Sequence, residues 1–84
     1  MKLILTTAAL KGLRKIPTKD ATALYATLEE IAADPIGEHP KAKKLVGLPG
    51  YRARQGDWRA IYTLDREADE MIVDLIGNRG EVYR

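Results

Sequence analysis

The chain has 84 residues, enough for one small domain, and its net charge at pH 7 is +2. Its composition, 45% hydrophobic and 31% charged, is typical of a globular protein. It contains no Cys, no Ser and one His, which excludes disulfides, Cys or paired-His zinc sites, cysteine nucleophiles and Ser-His-Asp triads. Any catalysis must therefore use Arg, Lys, Tyr, Thr and carboxylates, and we expect a single domain over residues 1–84.

The first half of the chain predicts a strand followed by two helices. The short apolar run Leu3–Leu5 predicts a buried strand. Apolar residues recur at helical spacing over residues 7–15, and Pro17 ends that helix. A second helix is predicted over residues 18–33, with Thr18 as its N-cap and one apolar stripe along its length.

No segment predicts export or membrane insertion. The apolar run at the start is short and meets Lys11-Gly12 without the small-residue cleavage site of a secretory signal. No stretch reaches the ~18 consecutive apolar residues of a membrane span. We therefore expect a cytoplasmic protein with no membrane partner.

The second half predicts a loop followed by a small sheet. Residues 35–50 are rich in Pro and Gly and predict a connecting loop with at most a short turn or strand near Leu45-Val46. The strand-like runs that follow are Tyr51–Gln55, Trp58–Leu64 and Met71–Ile76. The predicted fold class is α+β, with an N-terminal strand, a two-helix hairpin and a three-stranded antiparallel meander packed on the helices.

The first turn of that meander predicts its register. Gly56-Asp57 between two alternating runs is typical of a two-residue type II′ hairpin, since Gly accepts the positive φ of the first turn position. Arg54 then lies opposite Arg59, and Arg52 lies on the same side because side chains alternate with period two. The other side is apolar and should pack on the helices, so three guanidinium groups share the sheet face away from them.

Positive charge is concentrated around this hairpin. Residues 41–59 hold six of the 14 basic residues and one acidic residue. Arginines opposed across a strand pair destabilise a sheet unless an anion lies between them. The pattern leaves open solvated arginines or a pairing with Asp74, a partner-protein interface, and a nucleic-acid site. Arg79 and Tyr83 could extend such a site, because guanidinium binds phosphate and a tyrosine ring stacks on an unpaired base.

A longer set of residues has a distinctive combined spacing. It reads Lys43-Lys44-Leu45-x-Gly47-Leu48-x-Gly50-Tyr51-Arg52-x-Arg54-x-Gly56-Asp57-Trp58-Arg59-x-Ile61-Tyr62 and then Ile76-Gly77-x-Arg79-x-Glu81-Val82-Tyr83. This pattern resembles the RelE/ParE superfamily of type II toxins, and the first half of the chain agrees with it in layout. The resemblance implies a RelE/ParE-like fold and a cognate antitoxin that wraps the toxin in a heterodimer or heterotetramer.

The RelE-like branch of this superfamily implies a specific chemistry. Its members cleave mRNA in the ribosomal A site without a metal or other cofactor. The substrate's 2′-hydroxyl attacks the adjacent phosphate and leaves a cyclic phosphate. The ribosome and mRNA would then be partners, and Lys43 and Lys44 would contact the RNA backbone.

The resemblance also implies roles for individual side chains. Arg52 and Arg54 match the family's basic pair on their strand, and Arg59 matches the arginine that stabilises the transition-state phosphate. Arg79 matches the arginine that assists the leaving oxygen, and Tyr83 matches the tyrosine that positions a base. Some members have a lysine at the position of Arg54, and arginine is a poor general base.

Two other functions remain open at this level. The ParE branch shares the fold but poisons DNA gyrase. A non-catalytic binding module is favoured by Asn78 and Gly80, which stand where many relatives have His and Arg. A metal-dependent nuclease is disfavoured, because the acidic residues of 65–70 crowd into one turn, lack the glycine of a calcium loop and predict a solvated hairpin tip without a metal.

Overall fold

The computed structural model describes residues 1–78 and residue 80. Five strands form one sheet in the order β1-β5-β4-β3-β2, and two helices pack on one of its faces. The pair β1 and β5 is parallel and the other three pairs are antiparallel. The elements are β1 (Lys2–Leu5), α1 (Thr7–Arg14), α2 (Thr18–Ala33), β2 (Ala42–Lys44), β3 (Tyr51–Gln55), β4 (Trp58–Asp65) and β5 (Glu70–Asn78). The predicted α+β class, helical hairpin and meander are confirmed.

The loop before the meander contains a strand that differs from the prediction. The expected short strand near Leu45-Val46 lies instead at Ala42–Lys44, which pairs with β3 at the edge of the sheet. Leu45 donates its backbone N–H to the Gly50 carbonyl at 3.0 Å, which closes a loop rather than extending the strand. Val46 lies on that loop with 97% of its surface exposed. Apolar character alone therefore misplaced the strand.

The two helices begin in different ways. Thr6 caps α1, since its Oγ1 accepts the backbone N–H of Ala9 at 3.1 Å. The prediction of Thr18 as the cap of α2 was wrong, because the extended Pro17 holds the N-cap position and Thr18 is the first helical residue. No side-chain hydrogen bond caps that helix. Its first turn closes instead when Ala21 N–H donates to the Pro17 carbonyl at 2.9 Å.

The hydrophobic core lies between the helices and one face of the sheet. Small residues on the central strands, Ala53 and Ala60, are fully buried and allow the helices to approach closely. The buried hydrophobic residues are Ala9, Ile16, Leu24, Leu28, Ile31, Ala32, Ala53, Ala60, Tyr62, Met71, Val73 and Ile76. Because side chains alternate along each strand, the arginines of β3 and β4 project from the opposite face.

Candidate functional site

The β3–β4 hairpin has the predicted register. Arg54 pairs with Arg59, and Arg52 pairs with Ile61. Gly56 has φ = 60°, as the predicted turn requires of its first position. The three arginines therefore occupy the sheet face that the helices do not cover.

The two predicted RNA-binding lysines lie on different faces of the sheet. Lys43 pairs with Arg52 and joins the side of the arginines. Lys44 pairs with Tyr51, whose side chain packs against the core, so Lys44 lies on the helix side. The surface defined by Lys43, Arg52, Arg54 and Arg59, here called the arginine face, therefore does not include Lys44.

Arg59 differs from the other arginines in its burial. Only 9% of its surface is exposed, whereas Arg52 is half-buried and Arg54 is exposed. Its Nη1 donates to the Gly56 carbonyl at 2.7 Å and to the Trp58 carbonyl at 3.0 Å. Among residues 1–78 and 80, its buried Nε has no hydrogen-bond partner. An unpaired buried donor costs about 1–3 kcal/mol, so an anion that reached this nitrogen would be bound favourably.

Side chains from α2 and from the loop that follows it hold the hairpin against the helices. Trp58 Nε1 donates to Asp20 Oδ2 at 3.1 Å. Gln55 Oε1 accepts from Thr27 Oγ1 at 2.9 Å and from Lys41 Nζ at 2.5 Å. None of these contacts was predicted from the sequence. The indole N–H of Trp58 was the one available signal, because a buried tryptophan normally finds a hydrogen-bond partner.

Asp74 lies at an irregularity of the sheet. The register between β4 and β5 shifts at Ile61/Tyr62, so that Ile61 pairs with Leu75 while Tyr62 pairs with Val73. Asp74 is left over at this bulge, and its Oδ2 accepts a hydrogen bond from Thr63 Oγ1 at 3.4 Å. The contact that the structure gives the Asp74 carboxylate is thus to a threonine hydroxyl rather than to an arginine.

Two predicted site residues fall outside the described part of the chain. These are Arg79 and Tyr83. Strand β5 brings the described chain to Asn78, which pairs with Trp58 beside the β3–β4 turn. The roles of Arg79 and Tyr83 stay predictions from the resemblance.

The acidic hairpin tip is solvated, as predicted. Asp65, Glu67 and Asp69 are exposed, and Asp65 Oδ1 accepts the backbone N–H of Ala68 at 3.1 Å. Within residues 1–78 and 80, no three His, Cys, Asp or Glu side chains are grouped so as to hold a metal ion. No helix in that part of the chain is long and apolar enough to cross a membrane.

Comparison with known proteins gives the family. A model described as the ParE toxin of the type II toxin-antitoxin system, parDE, matches residues 3–83. The chain belongs to the RelE/ParE superfamily of type II toxins. No curated protein matches it significantly.

Solved structures of RelE toxins share the fold of this toxin. The isolated Escherichia coli RelE toxin is 29% identical, with a TM-score of 0.79, and the match covers 98% of this chain and 89% of that one. The intact E. coli RelBE complex gives 25% identity and a TM-score of 0.77, covering 92% and 94%. The RelBE2 complex of Mycobacterium tuberculosis gives 22% and 0.78, covering 93% and 96%. These matches confirm the expected toxin fold.

In this toxin the hydroxyl of Tyr62, on the helix side of the sheet, stays protonated at neutral pH. Burial raises the pKa of the Tyr62 hydroxyl from 10.0 to about 12, and the neighbouring Tyr51 adds to the shift. The two rings stack with centroids 5.3 Å apart and planes 13° apart. Tyr62 therefore stays protonated below pH 10 and contributes packing rather than proton transfer.

Proposed function

We propose that this toxin is a metal-independent, ribosome-dependent mRNA endonuclease that inhibits translation in the cytoplasm. The observation that carries the proposal is Arg59, which lies opposite Arg54 on the arginine face. It is a nearly buried guanidinium whose Nε has no hydrogen-bond partner among the described residues. Similarity to RelE toxins over almost the whole chain supports it. The proposal also includes Arg79 and Tyr83, in the roles that the family resemblance implies for them.

The geometry of Arg59 suits a phosphate. Both hydrogen bonds that Arg59 makes within the described part of the chain use Nη1, so those residues leave the edge formed by Nε and Nη2 for a ligand. Two parallel N–H donors on that edge match two phosphate oxygens, and such bidentate contacts are among the stronger hydrogen bonds in proteins. The carbonyls of Gly56 and Trp58 fix the guanidinium in advance, so less side-chain entropy is lost on binding.

The reaction requires no group of the toxin to become covalently attached. The RNA 2′-oxygen forms a bond to the adjacent phosphorus, the bond from phosphorus to the 5′-oxygen breaks, and the products carry a 2′,3′-cyclic phosphate and a 5′-hydroxyl. The 2′-hydroxyl proton leaves to water and the leaving 5′-oxygen takes up a proton from water, because arginine stays protonated. Arg59 and Arg54 stabilise the negative charge that builds on phosphorus oxygens, while Arg79 assists the leaving 5′-oxygen. Alignment by the ribosome and by Tyr83 supplies the in-line geometry.

An antitoxin is the proposed protein partner. Several of the similar structures are RelB–RelE antitoxin–toxin complexes. We propose a cognate antitoxin that binds this toxin in a heterodimer or heterotetramer and covers the arginine face with acidic side chains, since complementary charge would occupy the site that RNA needs.

Gyrase poisoning is the second candidate function. The observation that favours it is the matching family model, which is a ParE model. On this alternative, the arginine face would bind an acidic surface of the enzyme rather than RNA. The two candidates differ in which nucleic acid is damaged.

The test measures both activities with the same purified toxin. Programmed ribosomes are incubated with the toxin and the mRNA is read by primer extension, while a second sample measures supercoiling by DNA gyrase. We expect new mRNA ends within the reading frame. The rate of cleavage should fall at least ~100-fold in Arg59→Ala, because loss of one charge-stabilising donor has about that effect on catalysis. Arg14→Ala, an exposed arginine on α1, is the matched control and should cleave normally.

Two outcomes would contradict the proposed activity, and a third would contradict the role of Arg59. Intact mRNA with arrested gyrase would assign the toxin to gyrase poisoning. Intact mRNA and unaffected gyrase would leave a binding module. Arg59→Ala that cleaves at full rate would remove Arg59 from the site even if mRNA is cut.

A further inference from the structure

The sheet face away from α1 and α2 carries an apolar strip beside the arginine face. Ile61 pairs with Arg52 on one side and with Leu75 on the other. Ile4 and Ile72 pair with each other on β1 and β5. A core residue adjoins each of these apolar residues along its strand, so alternation directs their side chains away from the helices. The apolar strip is Ile4, Ile61, Ile72 and Leu75, the last with 39% of its surface exposed.

Like charges face each other at both ends of β4. Arg54 pairs with Arg59 where the strand begins, and Glu70 pairs with Asp65 where it ends. Like charges directly opposite each other destabilise a strand pair. Lys2 pairs with Glu70 from β1 and offsets only one of the two negative charges. This face of the sheet thus has a basic end and an acidic end with the apolar strip between them, and each end would gain from the charge of the other.

A face of this kind is complementary to a second copy of itself. When two such sheets stack about a two-fold axis that lies between them and runs across the strands, the strand direction is reversed. The acidic end of each copy then lies over the basic end of the other, and the two apolar strips meet in the middle. Stacked sheets lie about 10 Å apart, a distance that an arginine and a glutamate side chain span together. The same contact is made twice, so the interface closes as a dimer.

Asp74 lies close to the middle of this face. Its side chain is exposed, and its Oδ2 accepts a hydrogen bond from Thr63 Oγ1 at 3.4 Å. In the stacked arrangement the Asp74 carboxylates of the two copies lie near the axis, where like charges repel each other. The central carboxylates therefore oppose the dimer, whereas the carboxylates at the acidic ends favour it.

The area of the face limits how tightly two copies can associate. Five strands ~4.8 Å apart, with a rise of ~3.4 Å per residue, present a face of roughly 500 Å². A dimer would then bury roughly 1,000 Å² in total, which is below the usual size of a stable interface and within the range of transient ones. We therefore expect association at micromolar concentrations rather than a permanent dimer.

We propose that the toxin forms a two-fold dimer through this sheet face, with a second copy of the chain as the partner. The acidic pair Asp65 and Glu70 of each copy meets Arg54 and Arg59 of the other, and the apolar strips pack between them. The arginine face lies inside this dimer, so a toxin that cleaves RNA would do so as the monomer. The association rests on the charges and apolar residues of the sheet and does not depend on the proposed activity.

Sedimentation velocity of the purified toxin tests the association. The toxin is measured over a range of concentrations at low and at high sodium chloride. We expect a monomer–dimer equilibrium with a dissociation constant of about 1 to 100 μM. No larger species should form, because a two-fold contact closes on itself. High salt should weaken the dimer at least ~5-fold, since it screens the charges at the two ends.

Substitutions in the middle of the face test which surface associates. Leu75→Glu places a carboxylate in the apolar strip and should weaken the dimer at least ~10-fold, because symmetry repeats the change. Leu10→Glu on α1 makes the same change at a leucine of the same exposure, 39%, and should dimerise like the wild type. Asp74→Asn removes the repulsion near the axis and should strengthen the dimer at least ~2-fold. A weaker Asp74→Asn dimer would contradict this placement of the axis.

Charge reversals test whether the two ends meet. Glu70→Arg and Arg54→Glu should each weaken the dimer at least ~10-fold, because each brings like charges together at both contacts. When the two variants are mixed, one contact regains the wild-type charges and the other again brings opposite charges together. We therefore expect mixed dimers within ~5-fold of the wild-type affinity, which also shows that both variants are folded. Glu29→Arg, an exposed site on α2, makes the same charge change and should dimerise like the wild type.

Four further results would overturn the proposal. These are a toxin that stays monomeric throughout, a dimer that Leu75→Glu and Glu70→Arg leave unchanged, a dimer that Leu10→Glu or Glu29→Arg weakens equally, and charge variants that fail to associate when mixed. Cleavage of mRNA is measured separately on ribosomes, at toxin concentrations where the monomer prevails. A toxin that dimerises but cuts no mRNA would refute the proposed activity and leave the dimer standing, and a monomeric toxin that cuts mRNA would do the reverse.

Discussion

At the scale of single residues, the arginine face combines one fixed cation with more mobile ones. Arg59 is held by two backbone carbonyls of its own hairpin, whereas Arg54 opposite it is exposed. Arginine carries its positive charge at any physiological pH, so these N–H donors persist. Rigid donors suit charge stabilisation, and mobile ones suit capture of a flexible polyanion.

Substitution of Arg59 by lysine separates charge from geometry. Arg59→Lys keeps the positive charge but loses the Nε–Nη2 edge, so we expect cleavage on ribosomes to fall at least ~100-fold. Circular dichroism should show an unchanged fold, and the rate of mRNA cleavage gives the effect. Arg52→Lys on the same face is the comparison, and we expect a smaller loss because Arg52 is only half-buried. Equal losses in both variants would contradict a special role for Arg59.

The shifted pKa of Tyr62 predicts how stability depends on pH. Its pKa is about 12 in the folded toxin and near 10 when unfolded, so the unfolded chain loses the proton first as pH rises. Tyr62 leaves the free energy of unfolding unchanged with pH below pH 10 and lowers it by about 2 to 3 kcal/mol as pH rises from 10 to about 12. Urea unfolding of wild type and Tyr62→Phe measures it. The free energy of the wild type should fall more steeply over that interval, and parallel curves would contradict the shift.

At the scale of elements, the contact between α1 and β5 depends on the absence of one side chain. A Cβ added at Gly12 would lie 2.0 Å from the Ile76 carbonyl oxygen, which is backbone and cannot move without shifting the strand. Gly12→Ala gains about 1 kcal/mol of helix propensity but incurs overpacking of about 1 to 3 kcal/mol and more for a backbone clash. The clash wins, so we expect net destabilisation of at least ~1 kcal/mol by urea unfolding.

An exposed neighbour provides the control for this substitution. Lys11→Ala makes a change of helix propensity on the solvent side of α1 and should alter the free energy of unfolding by less than ~0.5 kcal/mol. A Gly12→Ala variant as stable as the wild type would mean that α1 can move away from β5 without loss.

An element was predicted well where residues close together in the sequence determine it, and poorly where pairing between distant strands does. The hairpin register followed from Gly56-Asp57, because a two-residue turn fixes which residues face each other. The bulge at Asp74 has no such signal, since it arises from pairing β5 with β4 across the sheet. Strand β2 was predicted too far along the chain. Its position depends on pairing with β3, which outweighed the apolar character of Leu45 and Val46. Lys44 consequently lies on the helix side. Neighbouring residues of any strand point to opposite faces of the sheet, so Lys43 and Lys44 could not share a face.

At the scale of the whole molecule, the net charge of +2 conceals a separation of charge. The arginine face carries four cations, while the acidic tip between β4 and β5 is exposed and negative. A single-stranded nucleic acid whose phosphates contacted all four cations would release counterions in proportion to the number of phosphates neutralised. The logarithm of its binding constant should then fall with the logarithm of salt concentration with a slope of about −3.

That slope tests the arginine face as a unit. Binding of a short single-stranded RNA to the toxin is measured by fluorescence anisotropy at several salt concentrations. Arg54→Gln removes one cation from the face and should make the slope less steep by about 0.7. Lys19→Gln removes an exposed cation from α2, on the opposite side of the sheet, and should leave the slope unchanged. Equal changes in the two variants would show that the RNA senses the net charge of the toxin rather than this face, and the separation of charge across the sheet would then have no part in binding.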